Sequence, residues 1–166
     1  GAGVREAVVG STRFGNIEFW PWPESATLAR PGVPDAAEIG WTWLAPQAQR
    51  SGINTEAKLL MLAHAFEVWQ VRRMTLKTDE RNMRSRNAIA RLGANFDGIL
   101  RGHMPASDGG IRNTAIFGIL AEEWPVEIDE MLPARGYTLI DFCGEVQDVL
   151  TSHRKAADAR RFGFAV

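Results

Sequence analysis

Between a strand ending near Leu44 and the start of a long helix, the chain places Gln47-Ala48-Gln49-Arg50-Ser51-Gly52-Ile53-Asn54-Thr55-Glu56-Ala57. A tight, polar, glycine-containing turn at such a junction leaves several backbone N–H groups unpaired and pointing outward, and it can hold a phosphate. The dipole of the helix that follows adds to the pull on an anion. Farther along, Asn82 stands three residues before Ser85 and opens a segment that closes at Gly93-Ala94. Its carboxamide suits a helix cap, and Gly93 suits a helix stop. The histidines His64, His103 and His153 are far apart and form no HExxH pair, so a catalytic metal has no obvious ligand set. The lone Cys143 can form neither an intrachain disulfide nor a thiolate cluster, which makes a reducing compartment the default.

The elements that must position these residues follow from periodicity and turn chemistry. Ala7 to Gly15 is short, partly β-branched and bounded by glycine, and reads as a strand. Pro21, Pro23, Pro31 and Pro34, mixed with Trp20 and Trp22, make the next stretch a long loop. Glu38 to Leu44 reads as a second strand with Ile39, Trp41 and Trp43 on one face. Thr55 to Gln70 carries Leu59, Leu62, Ala63, Phe66 and Trp69 at helical spacing. A strand over Val71 to Thr78 completes a βαβ unit, which favours parallel pairing. A second helix then runs from Asn82 through Ser85, Ala88, Ile89 and Leu92. Gly98 to Met104 and Ile111 to Leu120 predict an antiparallel hairpin about the turn-rich Ala106-Ser107-Asp108-Gly109-Gly110. Beyond Pro125, a strand over Tyr137 to Phe142 and a helix over Glu145 to Arg160 are predicted.

Composition narrows the classes of function. The 166 residues, 45% of them hydrophobic, fit one globular unit. With 19 basic against 20 acidic side chains and a net charge of -1, nothing global attracts nucleic acid or an anionic membrane. No apolar run approaches the roughly 18 residues that cross a bilayer, and no secretion signal is recognisable. A cytoplasmic location is therefore expected.

The spacing Gln49-x-x-Gly52-x-Asn54, followed by Thr55-Glu56-Ala57, resembles the pyrophosphate-binding motif of the GNAT N-acetyltransferases, especially their RimJ/RimL-like, ribosomal-protein N-terminal acetyltransferase branch. That family usually has Gly or Ala where this chain has Asn54, a residue that tolerates unusual backbone angles. Asn82-x-x-Ser85, with Ile89, Leu92, Gly93 and Ala94, resembles the later helix of the family, whose asparagine and small polar residue line the pantetheine arm of coenzyme A. The resemblance covers about Ala7 to Pro125. It implies an α/β (α+β) fold, a mixed and mostly antiparallel twisted sheet with a central splayed parallel pair flanked by helices. It also implies acetyl-CoA as co-substrate and an amine as acceptor, while the scattered histidines lead to the expectation of no metal. Gln49 opens the motif, and N–H groups of Arg50, Ser51, Gly52, Ile53, Asn54 and Thr55 would hold the pyrophosphate. An N–H near Leu44 would polarise the thioester carbonyl. Arg50, with Arg84 or Arg86, would pair with further phosphate charge. Glu38 is the nominee for general base. Ile89 stands where many relatives carry an acid tyrosine, which leaves Ser85 as the nearest substitute.

Plainer readings stand beside these. The Gln49 to Thr55 segment can be an ordinary turn capped by Asn54, Asn82 a pure cap, Glu38 a solvated strand residue, and Ser85 a hydroxyl bonded to its own helix. Trp41, Trp43 and Trp69 read as core. Trp20 and Trp22 suit an acceptor pocket, a dimer contact or a loop tucked over the core. Members of the family begin with a strand and two helices for which this chain has no room. Residues 1–125 are therefore expected to form an acetyl-CoA-binding domain lacking that start. Residues 126–166 are expected to form an extension that completes the fold or meets a partner. Truncation, a circular permutation and a completing subunit are the competing explanations, and an unfilled edge strand would favour a homodimer. Besides an N-acetyltransferase, the sequence admits a non-catalytic acyl-CoA-binding or regulatory module, or a scaffold that serves only as an interaction domain.

Overall fold

The strand–helix–strand unit organises the computed structural model, which describes residues 8–124. Strands β2 (Ala36–Leu44) and β3 (Arg73–Asp79) lie parallel, joined through helix α1 (Ile53–Ala63). Strand β1 (Gly10–Glu18) pairs antiparallel with β2, and β5 (Ile111–Leu120) antiparallel with β3. Strand β4 (Asn95–Pro105) closes the predicted hairpin on β5, so the sheet order is β1-β2-β3-β5-β4. One parallel pair inside an otherwise antiparallel sheet is the expected fold class. Helix α2 (Met83–Ala90) follows β3. Among the described residues no helix is long and apolar enough to cross a membrane.

The core sits where α1 meets the sheet. Leu59, Leu62 and Ala63 on α1 pack with Ile39, Met74, Leu76 and Ile119, all at most 2% exposed. Burying each larger aliphatic side chain stabilises the fold by about 2 kcal/mol. Strand β3 alternates buried and half-buried residues along its length, as a strand covered on one face should. The single long helix expected over Thr55 to Gln70 is α1 followed by a wider turn over His64–Val68, in which the Trp69 N–H reaches back to the His64 carbonyl. Trp69 then packs on Phe14 at 4.6 Å and on His64 at 5.0 Å between ring centroids. The strands run beyond their sequence limits where pairing extends them: β1 continues to Glu18, β2 begins at Ala36, and β4 covers Asn95–Pro105.

Strand β2 departs from the expected alternation. Between the pairs Ser11↔Trp43 and Arg13↔Gly40, the single residue Thr12 faces two, Trp41 and Thr42. This is a β-bulge, and Trp41 takes the left-handed φ of 52°. One inserted residue reverses which face the later side chains occupy. Trp41 and Trp43 are consequently 49% and 53% exposed rather than in the core with Ile39.

The proline-rich loop between β1 and β2 is fastened by Asp35. That buried carboxylate accepts hydrogen bonds from the Trp20 N–H at 2.9 Å, the Trp22 indole at 3.0 Å and Arg72 Nε at 3.1 Å. Burial alone would raise the Asp35 pKa, but these donors and the Arg72 charge outweigh it and hold the carboxyl below its ordinary range. The loop is therefore tucked against the fold through Asp35 and through Arg72, whose guanidinium also donates to the Leu28 carbonyl. The strand expected over Tyr137 to Phe142 and the helix over Glu145 to Arg160 lie outside the described residues.

Replacing Asp35 by Ala leaves Arg72 and both tryptophans without their common acceptor. The variant is expected to lose about 3 kcal/mol of stability, read as a lower midpoint in chemical denaturation. A loss below about 1 kcal/mol would mean that the loop is not fastened there.

Candidate functional site

Pairing between β2 and β3 covers only Ala36↔Arg73, Ala37↔Met74 and Glu38↔Thr75. Beyond Glu38 the two strands diverge, and a groove of about 580 Å³ opens between them. Gly40 to Leu44 form one wall, Leu76 to Thr78 the other, and Ser85, Ala88 and Ile89 of α2, with Leu92 in the turn beyond it, cover one side. Four cationic side chains line it, Lys58, Lys77, Arg84 and Arg112, and no lining residue is acidic. A concave site of one sign focuses an anionic ligand.

The mouth of the groove is the turn from β2 into α1. After a short helical turn over Pro46–Ala48, Gln49 sends its Nε2 back to the Leu44 carbonyl at 3.0 Å, while its Oε1 accepts from Arg84 at 2.9 Å. One carboxamide thus ties the end of β2 to α2. Arg50 adopts a φ of 62° and turns the chain outward. The Ser51 hydroxyl donates to the Ala48 carbonyl at 2.6 Å, and Ser51 Oγ in turn lies 3.4 Å from the Ile53 N–H that donates to it. Among the described residues, the backbone N–H groups of Arg50, Ser51 and Asn54 make no hydrogen bond. The Thr55 N–H is already given to the Gly52 carbonyl at 3.0 Å. Helix α1 starts at Ile53 with Gly52 at its cap. Asn54 therefore sits inside the first turn rather than capping it, and the unusual backbone angle belongs to Arg50.

Helix α2 presents the second predicted set. Asn82 caps it, its Oδ1 accepting from the Ser85 N–H at 3.0 Å, and Asn82 also lines the groove. The Ser85 hydroxyl lines the groove and makes no hydrogen bond among the described residues. Of the two arginines considered for phosphate, Arg84 borders the groove. Arg86 turns away, donating to the Glu80 carbonyl and lying 5.3 Å from the Phe96 ring. Ile89 is buried on the groove side of α2.

Of the named site residues, the groove brings together Leu44, Gln49, Asn54, Asn82 and Ser85. Arg50, Ser51, Gly52, Ile53 and Thr55 form the turn and first helical residues at its mouth. Glu38 is not a lining residue. It is 8% exposed instead of solvated, and its Oε2 accepts from Asn16 at 2.7 Å and Lys77 at 2.9 Å. Its Oε1 lies next to Gly40 and accepts no hydrogen bond among the described residues. Trp20 and Trp22 do not line the groove.

Lys58 is the residue that sequence reasoning passed over. It is 5% exposed, lines the groove, and donates from Nζ to the hydroxyls of Thr12 at 2.6 Å and Thr42 at 2.7 Å. Burial pushes its ammonium down to about 8. The signal was available, because Lys58 stands four residues before Leu62 on the apolar stripe of α1.

Residues 2–95 match the acetyltransferase (GNAT) domain. No curated protein sequence matches the chain. A GCN5-related N-acetyltransferase from Brucella melitensis is similar at 36% identity over 56% of this chain and 42% of its own, with a TM-score of 0.54. Mycobacterium smegmatis RimJ, in complex with CoA-disulfide, is similar at 28% identity over 78% of this chain and 56% of its own, with a TM-score of 0.62. A ribosomal-protein-S5-alanine acetyltransferase from Vibrio fischeri, 19% identical over 70% of this chain and 56% of its own with a TM-score of 0.57, shares the fold. The chain spans about half the length of these structures.

Lys58 makes stability depend on pH. The unfolded chain keeps the proton up to the ordinary lysine value of 10.5, whereas the folded chain releases it near 8. Stability should therefore rise with pH across that window. Urea denaturation of the wild type and of Lys58→Met at intervals from pH 7 to pH 10 should show the wild type gaining relative to the variant. Parallel curves would mean that the buried ammonium is not perturbed.

Proposed function

The chain belongs to the GNAT acetyltransferase family, and on that footing we propose that it transfers an acetyl group from acetyl-CoA to a primary amine, either a protein N-terminus or a small molecule. One observation carries the reading. A cationic groove without a lining acid leads from a splayed strand pair to a turn in which the N–H groups of Arg50, Ser51 and Asn54 make no hydrogen bond among the described residues, and these are the features a long anionic thioester needs.

Acetyl-CoA supplies the activated acyl group as a thioester. The N–H groups of Arg50, Ser51 and Asn54, together with the start of α1, suit the pyrophosphate. The Thr55 N–H is spent inside the helix. Arg84 and the Arg50 side chain add counter-charge. The edge of β2 from Gly40 to Leu44 has no β3 partner, so its backbone groups can receive the pantetheine amides like an added strand, and an N–H near Leu44 can polarise the carbonyl. Attack by the amine in a ternary complex requires a base and an acid. Glu38 offers Oε1 beside Gly40, and Ser85, which lines the groove, offers a hydroxyl with no hydrogen bond among the described residues. The cytoplasm and a homodimer, with neither nucleic acid nor membrane as partner, complete the reading. No group of acids, histidines and cysteines that would hold a metal occurs among the described residues.

A non-catalytic acyl-CoA-binding module is the second reading. It is favoured by the ion pair that engages Glu38 with Lys77 and by Ile89 at the position of the acid tyrosine.

Calorimetry with acetyl-CoA tests both readings, and an absence of binding at high micromolar ligand would sink them together. Thiol release with a panel of amines and N-terminal peptides then separates them, since binding without turnover with any acceptor favours the module. Gly52 has helical angles, φ -64° and ψ -25°, so Gly52→Phe should fold with little change in thermal midpoint. Its affinity for acetyl-CoA should nevertheless fall at least about tenfold, because the ring would occupy the approach of the pyrophosphate.

A further inference from the structure

The bulge in β2 coincides with Lys58, the one buried cation among the described residues, whose Nζ donates to threonine hydroxyls rather than to a carboxylate. Thr12, the single residue facing Trp41 and Thr42 across the bulge, has its hydroxyl 3.0 Å from that of Thr42 and 3.3 Å from the Gly40 carbonyl. The Thr42 hydroxyl also lies 3.5 Å from that carbonyl. Lys58 Nζ, arriving from α1, donates to both hydroxyls. Four groups from β1, β2 and α1 therefore meet over the irregular rung, where the strands lack regular pairing.

An ammonium at this depth is costly to bury without a carboxylate. A methionine would fill the same space between helix and sheet without that cost. What methionine would lose is the pair of donors that fixes two threonine rotamers and, through them, the Gly40 carbonyl. Gly40 to Leu44 form the groove wall opposite β3, and the left-handed Trp41 decides which way their N–H and C=O groups point.

We infer that Lys58 is a positioning residue, clamping the β2 bulge through Thr12 and Thr42 so that the strand's free edge faces the groove in the register needed for the pantetheine arm of an acyl-CoA. The ligand named here rests on the acetyl-CoA reading, whereas the clamp itself does not.

Two measurements test the two parts. In the ligand-free protein, hydrogen exchange at the amides of Trp41 to Leu44 should quicken at least tenfold in Lys58→Met, while the amides of β3 and β5 keep their protection. Unchanged exchange at the bulge, or a uniform increase over the sheet, overturns the clamp. In calorimetry, the variant should bind coenzyme A about tenfold more weakly but bind 3′-phosphoadenosine 5′-diphosphate, which lacks the arm, within threefold of wild type. Equal losses for both ligands overturn the positioning role. If Lys58→Met does not fold, the double variant Thr12→Val/Thr42→Val removes the acceptors instead of the amine and carries the same expectations. A wild-type chain that binds neither ligand refutes the acetyl-CoA reading and the pantetheine role, and exchange at the bulge still decides the clamp.

Discussion

Everything distinctive about this fold depends on how briefly β2 and β3 stay together. Two parallel strands at the centre of a sheet would ordinarily satisfy one another along their whole length, because an unpaired backbone group in the interior costs about 1–3 kcal/mol. Here the ladder lasts from Ala36 to Glu38 and stops. The remaining half of β2 is held from one side by β1 alone, and its other side borders the groove. Helix α1 can begin near the mouth of that groove only because the diverging strand delivers the chain there.

Charge follows from the same geometry. A helix N-terminus, two arginines and two lysines gathered about one cavity repel each other when the cavity holds only water. Each cation is partly compensated by a neighbour: Lys77 by Glu38, Arg84 by the Gln49 carboxamide, Arg112 by the Thr114 hydroxyl, Lys58 by two threonines. Three of the four compensations are made by neutral groups. Such an arrangement relieves its desolvation cost when an anion arrives, and this makes the groove a more persuasive anion site than the turn sequence alone.

The architecture was largely legible in the sequence, since a 3.6-residue period from Leu59 to Phe66 and the turn-rich Ala106 to Gly110 between two strand-like runs are strong signals. The turn at Gln49 to Asn54 and the cap at Asn82 were legible for the same reason: polar residues at the end of a strand or the start of a helix have few other uses. The bulge was not legible. It depends on one residue more in β2 than in β1, and nothing in Gly40-Trp41-Thr42-Trp43 announces that Trp41 turns left-handed, so both tryptophans were assigned to the wrong face. The environment of Glu38 was hidden too, because it is built by Asn16 and Lys77, 22 and 39 residues away in the chain. Short-range pattern reports the element, whereas the partner of a buried charge is a property of the topology.

Glu38 stands at the last paired rung, opposite Thr75, and its ion pair reaches Lys77 two residues farther along β3, where the strands have begun to part. The bridge therefore spans the start of the split and braces it, with Asn16 of β1 on the same oxygen. A carboxylate that serves as general base must take up a proton, and on doing so it gives up much of its attraction for Lys77. The two duties conflict if one oxygen performs both. They conflict less if Oε1, beside Gly40, takes the proton of the acceptor amine, because Oε2 then remains a hydrogen-bond acceptor for Lys77 and Asn16 although the carboxyl is neutral. The distribution of partners over the two oxygens follows that division, and it ties the candidate base to the same split that creates the groove.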